Sequence, residues 1–205
     1  MSGSFISRTI DDNVACRKLI DGSLIELTES MLYGLTEIKD FAFCNLPYGR
    51  IIKIPNNITR IGVYAFAYLG GAYSSQGIYF DLIIPNSVTN IDNGAFISSG
   101  LASVIIPNSV TNIGDAAFSC TVLVSVIIPN SVTNIGGGAF NNAHRLENVT
   151  VEANNPPTIG YGAFTGTSSN LTIYVPAASV EAYKTATNWS TYSDKIQAIP
   201  SEWGD

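Results

Sequence analysis

Apolar residues along this chain fall in a short alternating run, a Pro-Asn-Ser break, and a second short run closed by Ala-Phe. The segment IIPNSVTNI occurs unchanged at 83–91, 105–113 and 127–135, with starts 22 residues apart. After three variable residues each copy reaches Ala95-Phe96, Ala117-Phe118 or Ala139-Phe140. In Val104-Ile105-Ile106-Pro107 a period of two turns Val104 and Ile106 inward and Ile105 outward. The equivalent inward sites hold Ile52, Leu82, Val126, Val149 and Ile173, then Ile54, Ile84, Ile128, Val151 and Val175. The site between them holds Lys53, Ile83, Ile127, Thr150 and Tyr174, and a lysine there resists burial. Pro107 ends the strand because it lacks a ladder N–H, and Asn108-Ser109 turns the chain. A second short strand is predicted over 110–113 with Val110 and Ile113 inward. Ala-Phe then reads as a short helical turn whose Phe fills the core. Gly62, Gly114, Gly136 and Gly160 follow the second strand, where Gly fits a left-handed turn; Asp92 and Lys39 stand there in the other copies.

A fixed short period marks a solenoid in which each unit touches only its neighbours. Weaker copies extend it: 31–43, 51–66, 149–164, and an incomplete one at 171–176. The expected architecture is a repeat solenoid of short parallel strands joined by turns or short helical segments, about six turns of 22–24 residues over 31–176. End turns expose a core face, so 1–30 and 177–205 read as terminal caps of one structural domain. In the second cap Ser179 is placed to cap a helix over 180–184, with Glu181 in its first turn. Trp189, Tyr192 and Ile196 offer apolar cover. With some five buried side chains per turn, at ~1.5–3 kcal/mol each, the repeat accounts for stability without any catalytic chemistry.

The pattern LxxVxIPxSVTxIGxxAF resembles the BspA-like class of leucine-rich repeat over about residues 24–176, with proline, Ile-Gly and Ala-Phe at that family's offsets. The ending at 171–199 also looks like a C-terminal cap common in the family. The resemblance implies a right-handed solenoid with parallel strands. It further implies adhesion or protein binding, often at bacterial surfaces and sometimes in phage-encoded proteins. The start, MSGSFISRTIDDN, shows neither the basic region nor the apolar run of a secretory signal, so a phage particle or the cytoplasm stays open beside the cell surface.

Charge narrows the partners. The net charge is −6, and between Arg60 and Arg145 the only charges are Asp81, Asp92 and Asp115. A surface reading phosphates needs cations along that stretch, so nucleic acid is not an expected partner. No apolar run approaches the ~20 residues of a membrane span. Cys16, Cys44 and Cys120 are widely spaced, show no ligand pattern, and read as small core residues.

Catalytic constellations do not emerge. His144 has no second His or Cys at ligand spacing and reads as a surface turn residue. Asp92 and Asp115 lie at different offsets, which does not make a pair of acids. Ile-Gly-Gly-Gly-Ala-Phe at 135–140 is the repeat template with small variable residues and lacks the lysine of a phosphate loop. The expectation is no enzyme, no metal and no cofactor.

Two surfaces remain for recognition. One is the outward row Lys53, Ile83, Ile105, Ile127, Thr150 and Tyr174, beside polar Thr89, Thr111 and Thr133. An apolar stripe with a polar rim suits protein contact, although β-branched residues also simply suit a strand surface. The other is an insertion at 67–81, where the Pro55–Pro85 spacing is 30 residues; it carries Tyr68, Tyr73 and Tyr79, with Tyr64 just before it. Tyr with Ser and Gly is the composition of adaptable contact loops, although a tolerated loop without a partner is the plainer reading. The leading expectation is a non-enzymatic module presenting a repetitive surface to a protein or glycan. The alternative is a structural or assembly protein that oligomerises through the solenoid.

Overall fold

The computed structural model describes residues 25–27, 32, 34–46, 49–51, 53–71 and 78–203. Its strands are β1 (Ile25–Leu27), β2 (Glu37–Ile38), β3 (Gly49–Ile51), β4 (Arg60–Ile61), β5 (Phe80–Ile83), β6 (Asn90–Ile91) and β7 (Leu101–Ile105). They continue as β8 (Asn112–Ile113), β9 (Ser125–Ile128), β10 (Asn134–Ile135), β11 (Asn148–Val151), β12 (Thr158–Ile159), β13 (Thr172–Val175) and β14 (Ile196–Ala198). All pairs are parallel, and strands of successive repeats are neighbours. A six-stranded sheet of two-residue strands runs β2-β4-β6-β8-β10-β12, and a six-stranded sheet of longer strands runs β5-β7-β9-β11-β13-β14. Strands β1 and β3 pair separately. This is the expected parallel solenoid.

The core lies between the two sheets. Leu82, Val104, Val126, Val149 and Ile173 are buried, as are Ile54, Ile84, Ile106, Ile128, Val151 and Val175. Ile52 lies outside the described residues. The proline turn closes as the spacing predicts: Val110 N–H donates to Pro107 O at 3.1 Å, and Val88 and Val132 repeat the bond to Pro85 and Pro129. Val110 and Ile113 point inward, but only Asn112–Ile113 pairs as a strand.

The Ala-Phe segment is not helical. One residue before Ala-Phe is left-handed in every turn (Phe41, Tyr64, Gly94, Ala116, Gly138, Gly162), and so is the residue four later (Asn45, Tyr68, Ser98, Cys120, Asn142, Gly166). A helix cannot propagate through such residues. They re-aim alternate N–H groups toward the next turn: Phe66 donates to Ala95 O, Phe96 to Ala117 O, Phe118 to Ala139 O and Phe140 to Ala163 O, at 2.7–2.8 Å. The intervening N–H groups close tight turns to the third residue back, as Ala117 does to Gly114 O. The segment is therefore a third wall, bonded laterally like a sheet but built of turns.

Stacking those turns aligns the phenylalanines. Phe43, Phe66, Phe96, Phe118, Phe140 and Phe164 form one buried column, with centroids 5.3–5.4 Å apart and planes within 13° of parallel. Each neighbour adds roughly 0.5–1.5 kcal/mol beyond area burial.

Gly62, Gly114, Gly136 and Gly160 serve another purpose than the left-handed turn expected of them. None has positive φ. A Cβ on Gly136 would lie 2.4 Å from Asp115 N, and one on Gly160 would lie 2.2 Å from Gly137 N. The preceding turn comes too close for any side chain.

At the C-terminal end the chain passes through Ala177–Ser179 into α1 (Val180–Thr185), then a 3-10 turn at Trp189–Tyr192 and strand β14. Ser179 precedes α1, but its side chain makes no capping hydrogen bond; the residue is buried instead. Trp189, Tyr192 and Ile196 are buried against the last turn. Their neighbours replace the bonds a further turn would make. Asn188 Nδ2 donates to Ile159 O at 2.7 Å, where earlier turns use a backbone N–H, of Asp92 in one turn and of glycine in the others. Trp189 Nε1 donates to Pro157 O and Tyr183 Oη to Ala153 O, at 2.8 and 2.7 Å.

Candidate functional site

The long sheet presents the outward row that the alternation predicts. Register pairs Ile83 with Ile105, Ile105 with Ile127, Ile127 with Thr150, and Thr150 with Tyr174. Ile83, on the edge strand, and Ile105 and Ile127, within the sheet, are 66%, 57% and 56% exposed, large values for isoleucine. Thr150 and Tyr174 are half-buried. Two open grooves flank Ile105. One, about 460 Å³, is lined by Lys53, Asp81, Ile83, Pro85 and Ser103; the other, about 590 Å³, by Asn86, Pro107, Asn108, Ile127 and Glu152. Ile105 lines both and forms the ridge between them. The polar partners of the row are thus Asn and Ser from the proline turns, with Asp81 and Glu152 toward the ends.

The threonines sit elsewhere, at the entry to the short sheet. Thr89, Thr111 and Thr133 are exposed, but each hydroxyl donates to the threonine carbonyl of the turn before: Thr111 Oγ1 to Thr89 O at 3.4 Å, Thr133 to Thr111 O at 3.2 Å, Thr158 to Thr133 O at 3.0 Å. Ser109 and Ser131 donate in the same direction, to Val88 O and Val110 O at 2.7 Å. Asn134 Nδ2 donates to Asn112 Oδ1, also at 2.7 Å. This polar face stitches turns together.

Tyrosines of the interrupted repeat divide between two segments. The chain leaves the repeat after Gly70 and returns at Ile78, whose N–H donates to Gly70 O at 2.8 Å. Ala67 and Leu69 are buried in the turn wall and Phe80–Asp81 belong to β5, so the excursion is narrower than 67–81. Gly100 makes room for the return, since a Cβ there would lie 2.0 Å from Ile78 O. Tyr64 stacks on Phe41 at 5.3 Å and lies over Gly94, where a Cβ would meet its ring at 2.5 Å. Tyr68 and Tyr79 are half-exposed, one on the turn wall and one at the return to β5. Tyr73 lies outside the described residues.

The charged and polar candidates have structural partners. Arg60 bridges three turns, with Nη1 at 3.3 Å from Glu37 and Nη2 at 2.9 Å from Asp40 and 2.5 Å from Asp92. Partial burial opposes its charge, yet Asp92 and Asp40 prevail and its pKa is raised. Asp115 Oδ1 accepts Gly137 N–H at 2.6 Å. His144 is an exposed turn residue, as its surroundings predict. Cys44 and Cys120 are free and only half-buried on the turn wall, not in the core; Cys16 lies outside the described residues. Among the described residues no group of three His, Cys, Asp or Glu could hold a metal, and no helix is long and apolar enough to cross a membrane.

Sequence reasoning missed one aromatic at the end of the row. Trp203, beyond the Pro200 turn, packs on Tyr174 with centroids 4.8 Å apart. Its position two residues from the chain end carries no periodic signal.

Comparison with known proteins points to one repeat family. Solved structures similar to this chain include a leucine-rich cell surface protein from Faecalibacterium prausnitzii A2-165, at 25% identity and a TM-score of 0.49, covering 71% of this chain and 43% of that one. Another is a leucine-rich repeat protein from Bacteroides ovatus ATCC 8483, at 22% identity and a TM-score of 0.35, covering 74% of this chain and 55% of that one. The chain thus spans about half the length of these proteins or less. No curated protein sequence matches it. The profile of the BspA type leucine rich repeat region matches in six copies, over residues 23–74 and 71–191. With its strands, proline turns and phenylalanine column all set by that repeat, the chain belongs to the BspA-type leucine-rich repeat family.

Proposed function

We propose that this protein is a non-enzymatic binding module, and that the outer face of its long sheet is the recognition surface. The observation that carries this reading is the in-register row Ile83-Ile105-Ile127, more than half exposed and flanked by two grooves. A monomeric surface seldom keeps contiguous apolar side chains in water unless they serve contact. The threonine face is a poorer candidate because its hydroxyls are already committed between turns. Resemblance to surface proteins favours a macromolecular ligand, protein or glycan, outside the bacterial cell. Lack of any acid, base or metal constellation in the sequence supports a role without catalysis.

The test compares wild type with Ile105→Lys on purified extracellular-matrix proteins and a glycan array. The reading predicts a ligand whose binding the lysine abolishes. A ligand bound equally by both proteins removes the sheet face from the account. Light scattering runs alongside, and a wild-type oligomer that Ile105→Lys dissociates favours the assembly role instead.

A further inference from the structure

The two grooves and the charges around them point to a particular class of ligand. Their linings share Ile105 and extend over adjacent turns, Lys53 and Ile83 on one side, Ile127 and Glu152 on the other. Groove centres one to two strands apart are separated by roughly 5–10 Å. Side chains i and i+2 of an extended polypeptide are roughly 6.6–7 Å apart and point to the same side, so they span that interval.

Area and charge exclude the main competitors. A stable dimer buries about 800 Å² on each partner, and three isoleucines one strand apart fall well short of that. The groove linings hold no aromatic side chain on which a sugar ring would stack. The groove linings carry Asp81 and Glu152 against the single cation Lys53, and the whole chain has a net charge of −6. That field attracts a basic segment and repels an acidic one.

We infer that the row receives an extended, basic polypeptide segment that inserts apolar side chains i and i+2 on either side of Ile105. This rests on the binding reading above and names its partner class. The test is fluorescence anisotropy with three labelled peptides: two phenylalanines at i and i+2 flanked by lysines, the same composition with the phenylalanines adjacent, and the first peptide with glutamates for lysines. The first is expected to bind at least tenfold tighter than the other two. Ile105→Lys should abolish binding, and Ile105→Thr, which installs the residue type already present at Thr150, should weaken it severalfold. Circular dichroism and a melting curve establish that each variant is folded. Equal binding of all three peptides, no binding of any, or binding unaffected at Ile105 overturns the inference. A folded protein or glycan ligand lost in Ile105→Lys, with no peptide bound, overturns the inference while leaving the binding module standing. Loss of both removes both.

Discussion

Phe164 donates its backbone N–H to the hydroxyl of Tyr192 at 3.1 Å, where the phenylalanine of each earlier turn donates to an alanine carbonyl of the next. A side chain from outside the repeat thus occupies the place of the absent turn. Tyr192→Phe leaves that buried N–H without a partner, at a cost of about 1–3 kcal/mol. Urea unfolding measures the loss. Hydrogen exchange should show faster exchange at the Phe164 amide with little change at Phe118, which lies two turns further in.

The phenylalanine column predicts a second, larger effect. Phe118 is fully buried and stacked on both faces, by Phe96 and Phe140. Phe118→Ala should cost about 3–5 kcal/mol, read from the shift in urea midpoint. A loss below about 1 kcal/mol would show that the column collapses around the gap and does not behave as a rigid stack.

Two neighbouring glycines separate crowding from backbone conformation. Gly136 has an ordinary φ but no room, whereas Gly138 has φ +60° and no neighbour closer than 3.4 Å to an added Cβ. Gly136→Ala should cost about 3 kcal/mol, because the previous turn's backbone must move. Gly138→Ala should cost only about 1 kcal/mol, since Ala116 already holds the equivalent left-handed place. Paired denaturation curves decide it, and the reverse order would refute the packing argument.

These glycines show where sequence reading reached its limit. Alternation identified the inward and outward residues of the long strands because burial imposes a period of two on chemistry. Pro107 and the Ala-Phe pair were legible for the same reason, each answering a local demand. The left-handed positions were not, because Phe41, Tyr64, Gly94 and Ala116 share no chemistry at that site. What they share is lateral hydrogen bonding to a residue 21 to 29 positions away, which no local window contains. Thr111 likewise looked like free surface until its hydroxyl was placed against Thr89 O. The isoleucine row was readable, whereas its grooves and the Trp203 contact depend on how turns stack.

Alkaline pH offers an independent probe of the C-terminal end. Burial raises the pKa of Tyr183 well above the ordinary phenol value of about 10. The fold therefore favours the protonated phenol: its contribution is complete below pH ~10 and is lost as pH rises toward the folded-state value. Stability should fall above pH ~10 in wild type. Tyr183→Phe, which sacrifices the bond to Ala153 O, should be less stable at pH 7 but lose less stability between pH 9 and 11. Parallel pH slopes for the two proteins would place the alkaline sensitivity elsewhere.

The central claim concerns the isoleucine row, and methyl NMR addresses it most directly. Protein labelled at isoleucine δ-methyls is titrated with the lysine-flanked i, i+2 phenylalanine peptide. The account predicts saturable shifts at Ile83, Ile105 and Ile127, with the buried methyls of Ile113 and Ile135 unmoved. Saturable shifts that spare those three methyls, or an unchanged spectrum, would contradict it.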